Sequence, residues 1–315
     1  MNRIRRILCP IDFSETSRRA LDHAVAIARR YKASLSVLYV FPNMPVMDVP
    51  PQHLGAAGRA EIMADLRQFL VSVPGSEHAN AHVIEAADVH CEIDIQARAL
   101  GADLLVIGSH GRSGFKRLML GSVTESTLRI TRCPVLVVPP AAEGATPTRW
   151  WLRRILCAID FSEESAAALG YGLSLAQESG GELTLIHAIE VPPELRDGHV
   201  ADLTDIDRIR AAEEARCLRK LRDLVPEPTR LLCTVSTLVD EGAADHVILA
   251  AATARDVDLI VMGVRGHGAV DLAVFGSKTR QVIRAARCPV LVVHARDAAV
   301  LTAPVTDTLR PAVGE

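Results

Sequence analysis

The hydrophobic positions of the chain fall into short apolar runs that alternate with longer stretches of helical spacing. The run at 7–11 predicts a buried strand. Ser14 then suits a helix N-cap, and Leu21, Val25 and Ala28 recur at helical intervals behind it. Residues 34–40 predict a second strand, and Ile62, Leu66, Phe69 and Leu70 mark one face of a second helix. A third strand is expected at 81–84. The third helix carries Val89, Ile93, Ala97 and Leu100 and stops at Gly101. Residues 104–107 predict a fourth strand that ends at Gly108. A fourth helix is expected to begin near Gly121-Ser122, with Val123, Thr127 and Ile130 on its buried face, and 135–138 form the last strand. Strands alternating with helices imply a parallel sheet covered on both faces. Right-handed crossovers then favour a five-stranded doubly wound α/β sheet, with ligand at the strand carboxyl ends where strand order reverses.

The same pattern occurs twice. Arg5-Arg6-Ile7-Leu8-Cys9-Pro10-Ile11-Asp12-Phe13-Ser14 recurs as Arg153-Arg154-Ile155-Leu156-Cys157-Ala158-Ile159-Asp160-Phe161-Ser162. Arg132-Cys133-Pro134-Val135 recurs as Arg287-Cys288-Pro289-Val290. The offset is 148 at Asp12 and 155 at Cys133, so the second copy gains seven residues, expected in the loop before its second helix. Units of this length are domains rather than solenoid repeats. The expected division is a first domain at 1–140, a Pro- and Ala-rich linker at 141–149, a second domain at 150–296 and a flexible tail at 297–315.

The chemistry sits at the ends of two strands in each copy. Gly108-Ser109-His110-Gly111 is followed by nine residues and then Gly121-Ser122; Gly263-Val264-Arg265-Gly266 is followed by nine and then Gly276-Ser277. Phosphates held by main-chain N–H groups need close backbone approach, which a Cβ obstructs. A Gly-Ser pair at a helix start adds free amides, a hydroxyl and the positive end of the dipole. Neither a Walker loop nor a Gly-x-Gly-x-x-Gly fingerprint is present. Asp12 and Asp160 end the first strand of each copy, where Asp also suits a helix cap.

Charge and composition narrow the function. A net charge of −3 argues against nucleic-acid binding through bulk positive charge. No apolar run is long enough to suggest a membrane span. Seven cysteines without a Cys-x-x-Cys pair fit reduced thiols, and so a cytoplasmic location. The histidines lack metal-site spacing, and no catalytic triad is evident.

On these motifs the chain resembles a tandem universal stress protein of the ATP-binding branch, whose Gly-x2-Gly-x9-Gly-Ser/Thr motif both loops match in full. The resemblance implies two tandem Rossmann-like domains. It also implies ATP, with or without Mg2+, as the bound nucleotide. In the first domain it points to Pro10, Ile11, Asp12 and Val40 beside the adenosine, and to Gly108, His110, Gly111, Arg112, Gly121, Ser122 and Val123 along ribose and phosphates. In the second it points to Ala158, Ile159, Asp160 and Ala188, and to Gly263, Arg265, Gly266, His267, Gly276, Ser277 and Lys278. The second copy departs from the first at Ala158 for Pro10 and Ala188 for Val40.

The apolar last strands, 135–138 and 290–293, would be poor edges to leave open. The family's habit of dimerising there implies that one chain pairs them as an intramolecular pseudo-dimer, with homodimerisation of the whole chain left open. The functional expectation is a nucleotide-dependent regulator in the stress response and no enzyme beyond slow ATP hydrolysis. The alternative is a slow ATPase or phosphotransferase using the same loops. Arg112, Lys116 and Arg117 fall between the first copy's glycines, where the second has His267 and Asp271, so the first site is expected to bind ATP more tightly.

Overall fold

Ile7, Cys9 and Ile11 pack into one hydrophobic layer, whereas Leu8 packs into another, the period-two alternation of a strand buried on both faces. The computed structural model describes residues 4–43, 54–111, 120–140, 152–190, 203–227, 233–265 and 275–295. The expected linker and tail lie outside them.

The first half runs β1 (Arg6–Ile11), α1 (Glu15–Tyr31), β2 (Ser34–Pro42), α2 (Ala56–Val71), β3 (Asn80–Ala86), α3 (Val89–Ala99), β4 (Leu104–Gly108), α4 (Ser122–Ile130) and β5 (Val135–Val138). The second half repeats it: β6 (Arg154–Ala158), α5 (Glu163–Ser179), β7 (Glu182–Ile189), α6 (Leu203–Asp223), β8 (Thr234–Glu241), α7 (Ala244–Ala254), β9 (Leu259–Gly263), α8 (Ser277–Ala285) and β10 (Val290–Val293). This is the tandem, doubly wound α/β architecture that the alternating pattern predicts.

Within each half the strands are parallel, and the whole sheet has the order β3-β2-β1-β4-β5-β10-β9-β6-β7-β8. Strand order reverses between β1 and β4, and again between β6 and β9, which opens a crevice at their carboxyl ends. β5 and β10 pair antiparallel, with Leu136 opposite Leu291, so one sheet of ten strands runs through both halves. The layers on its two faces continue across that seam: Ile7 and Ile155 belong to one, Leu8 and Leu156 to the other.

Local signals explain the helix boundaries. Ser14 and Ser162 cap α1 and α5 by accepting the N–H of Ser17 and Ser165. α5 ends on Gly180 in the left-handed conformation (φ 64°), while α1 ends the same way on Lys32 (φ 53°), where a Cβ is disfavoured.

The segments before the second helix of each half, 44–53 and 191–202, where the extra residues are expected, lie outside the described residues; the described second helix has 21 residues in α6 against 16 in α2. One expectation is corrected. In α4 the buried face carries Thr124, Thr127 and Leu128, whereas Val123 and Ile130 are exposed. Thr124 is held by its bond to the Gly108 carbonyl, and Val123 lines the crevice.

Candidate functional site

Each crevice is built from the end of a first strand and the end of a fourth. At the end of β1 the chain turns through Phe13, which holds a left-handed backbone (φ 63°); Phe161 does the same after β6 (φ 64°). A bulky residue adopts this conformation only under constraint, at about 1–2 kcal/mol. The Phe13 ring is held by Tyr39 (4.8 Å between centroids) and by the edge of Phe69 (5.5 Å). Phe161 packs on His187 (4.7 Å), with Lys220 over its ring.

That turn fixes the strand-end aspartates. Asp12 Oδ1 accepts the Ser14 N–H at 3.1 Å, and Asp160 Oδ1 accepts both the N–H (3.1 Å) and the hydroxyl (2.6 Å) of Ser162. Both aspartates thus brace the turn that leads into the helix, whose N-cap is the serine two residues on. The other oxygen of Asp12 faces the glycine loop: a Cβ added to Gly111 would sit 2.6 Å from Oδ2.

The glycines work by close approach, not by positive φ. Among the described residues, the glycines with positive φ are Gly75, Gly101, Gly180 and Gly242, none of them in the loops. A Cβ on Gly108 would meet Thr16, its Cγ2 at 2.9 Å and its backbone at 3.2 Å. One on Gly263 would meet Glu164, Cβ at 2.6 Å and backbone at 3.0 Å. These two glycines let the fourth strand end against the first helix, a packing role. Gly111, beside Asp12, and Gly121, whose Cβ would lie 3.3 Å from the Ser109 carbonyl, keep the crevice itself open.

α4 and α8 start at Gly121 and Gly276, glycines that have no side chain with which to cap their own first turn. Thr124 and Thr279, both buried, tie that first turn to the strand end by donating to the carbonyls of Gly108 (2.8 Å) and Gly263 (3.0 Å). Pattern reading missed these threonines, although both stand two residues after a Gly-Ser at the same spacing.

The structure gathers the expected residues into two cavities. Of the first-half candidates, all but Arg112 line one cavity of about 320 Å³, together with Tyr39 and Thr124. Of the second-half candidates, all but Gly266 and His267 line another of about 770 Å³. Arg112, Gly266 and His267 lie outside the described residues, as do Lys116 and Arg117.

The chain belongs to the universal stress protein family. Its family model matches twice, over residues 3–139 and 152–294. Universal stress protein YxiE of Bacillus subtilis is 32% identical over 146 residues, covering 42% of this chain and 97% of the relative. Universal stress protein Rv2005c of Mycobacterium tuberculosis is 29% identical over 196 residues, covering 61% of each chain. A universal stress protein from Archaeoglobus fulgidus shares the fold across 92% of this chain and 98% of its own, with a TM-score of 0.61 and 24% identity.

Ion pairs line the second crevice among the described residues. Arg265 lies 3.5 Å from Glu164, and Lys278 lies 3.2 Å from both Glu190 and Asp245. Burial opposes the Lys278 charge, but the bonds to Glu190 and Asp245 outweigh it and raise its pKa. In the first domain Ser109 Oγ and His110 Nδ1 are 2.8 Å apart.

Chemistry away from the crevices is modest. Burial pushes the thiols of Cys9 and Cys157 far up, consistent with their packing as small hydrophobes. Asp88, His90 and Cys91 come together at the start of α3, a grouping that spacing did not suggest. Asp88 there caps the helix by accepting the Cys91 N–H. No described helix is long and apolar enough to cross a membrane.

Proposed function

We propose that each half of this universal stress protein holds one adenine nucleotide, ATP with Mg2+ carried on its phosphates. We further propose that occupancy, rather than turnover, is what the protein reports to a partner in the cytoplasmic stress response. The two units are 1–140 and 150–296, joined at 141–149.

The observation that carries this reading is the joint placement of a helix start headed by Gly-Ser, a strand-end aspartate and loop glycines, twice in one chain. Asp12 and Asp160 suit hydroxyl donors of a nucleoside, and the starts of α4 and α8 suit phosphates. The cradle fits such a group because side chains at Gly111 or Gly121 would fill it. Pairing of β5 with β10 supports an intramolecular pseudo-dimer in which either nucleotide alters a shared seam.

Mass spectrometry of nucleotide released from freshly purified protein, followed by thermal-shift titration, tests the reading. At 100 times the dissociation constant a ligand stabilises its site by about 2.7 kcal/mol, a shift of roughly 5 °C or more for a domain of this size. Absence of any shift with millimolar ATP would refute it.

A further inference from the structure

The second cavity does not end at the boundary of its own half. Its wall includes Arg129, in the last turn of α4 in the first half, together with Arg280 of α8. Glu125 accepts from Arg129 at 2.5 Å and lies 3.5 Å from Arg280. One carboxylate thus faces two guanidiniums, which leaves positive charge at the seam end of the cavity. Arg265 and Lys278 differ, each being matched by carboxylates of their own half.

The first cavity has no such extension. The equivalent positions there, at the 155-residue offset, are Arg284 for Arg129 and Glu125 for Arg280, and neither lines it. It is also less than half as large, about 320 Å³ against 770 Å³.

We propose that the second site is shared between the halves. In it, Arg129 reaches from the first half to bind the outermost phosphate of a triphosphate whose inner phosphates rest at the start of α8. The proposal rests on the nucleotide reading above and adds a residue from outside the domain that holds the nucleotide. Ser277 and Arg280 are three residues apart on α8, about 4.5 Å of helix rise, so a phosphate chain seated at Ser277 extends toward the arginine pair. The guanidinium of Arg129 is accessible, its side chain being 47% exposed, and its planar fork suits a terminal phosphate.

Calorimetry on the full chain tests this, with the first site blocked by Gly111→Leu and, as a second block, by Gly121→Leu. The titrants are ATP, AMP and inorganic tripolyphosphate. Arg129→Gln is expected to weaken ATP and tripolyphosphate about tenfold and AMP less than twofold. Arg129→Lys should fall between, and Arg284→Gln, which lines neither cavity, should match the parent. Equal weakening of ATP and AMP by Arg129→Gln, or unchanged ATP binding, overturns the proposal. A parent that binds tripolyphosphate through Arg129 but neither nucleotide upholds the shared anion site and removes the nucleotide reading. A parent that binds none of the three overturns both.

Discussion

Glu125 and Arg280 stand at equivalent positions of the two halves and pair with each other across the seam, 3.5 Å apart. A true two-fold dimer of either half would set like residues there, glutamate near glutamate or arginine near arginine. The opposite charges favour the contact between unlike halves of one chain. Reversing one charge, Glu125→Arg or Arg280→Glu, is expected to cost about 0.5–1 kcal/mol for this partly exposed pair. The double exchange should recover the part that the Glu125–Arg280 pair contributes, leaving the loss of the Glu125–Arg129 pair. A urea-unfolding double-mutant cycle that finds the two losses simply additive would rule this coupling out.

The loop glycines divide by what surrounds them. Gly108→Ala and Gly263→Ala push a methyl group into the first turn of α1 or α5, so each should lower stability by about 1–3 kcal/mol. Gly111→Ala meets only the end of the Asp12 side chain, so it should weaken ATP binding while the melting temperature of the unliganded protein barely moves. Melting curves with and without nucleotide separate the two classes, and a Gly111→Ala chain that binds ATP normally would contradict the division.

Thr124→Val and Thr279→Val keep the shape of a buried side chain but delete the bond to the carbonyl of Gly108 or Gly263. Each should cost about 1–3 kcal/mol because the buried carbonyl loses a partner. Faster hydrogen exchange should follow in the first turn of α4 or α8 respectively. Unchanged exchange there would mean the hydroxyl is not what anchors the turn.

Lys32→Gly should stabilise the protein by about 0.5–1 kcal/mol, since it gives α1 the left-handed glycine end that α5 already has at Gly180. Chemical denaturation measures this directly. A destabilised variant would show that flexibility gained by the unfolded chain outweighs the relieved backbone.

Two histidines set an acid limit. Burial, aided by Arg19, lowers His23 to about 4. Burial also lowers His294 to about 4, with Arg265 adding to the effect and the Leu128 carbonyl opposing it. The unfolded chain takes up these protons near 6.5, the folded chain only near 4. Stability is therefore full above pH 6.5 and falls as pH drops toward 4, by up to about 3 kcal/mol per histidine. His294→Gln, which keeps an N–H donor for the Leu128 carbonyl, should flatten part of that slope. An identical pH profile in the variant would exclude His294 as a source.

Much of the architecture was legible because it depends on local pattern. Apolar runs such as 104–107 have no surface to face but a sheet covered on both sides, and Ser14 and Ser162 announce the helices that follow. The crevice residues were legible for a related reason: glycines and strand-end aspartates keep their spacing in both copies. What escaped notice depends on contacts made across the fold. The left-handed turn at Phe13 is held by Tyr39 and Phe69, which are remote in sequence. Thr124 looks like any helix threonine until Gly108 is beside it. Val123 and Ile130 fit a helical period yet miss the buried stripe, which runs through Thr124, Thr127 and Leu128. Arg129 belongs by sequence to one half and by position to the cavity of the other.

The central pairing of β5 with β10 has a consequence for biosynthesis. Each half makes its last strand last, so β5 leaves the ribosome roughly 150 residues ahead of the strand that will cover it. At about 5–20 residues per second, the nascent chain carries a bare row of Val-Leu-Val-Val amides and carbonyls for about 8–30 s. During that interval neighbouring chains on one messenger can zip together through the same edge, so crowded translation exposes this protein to mispairing.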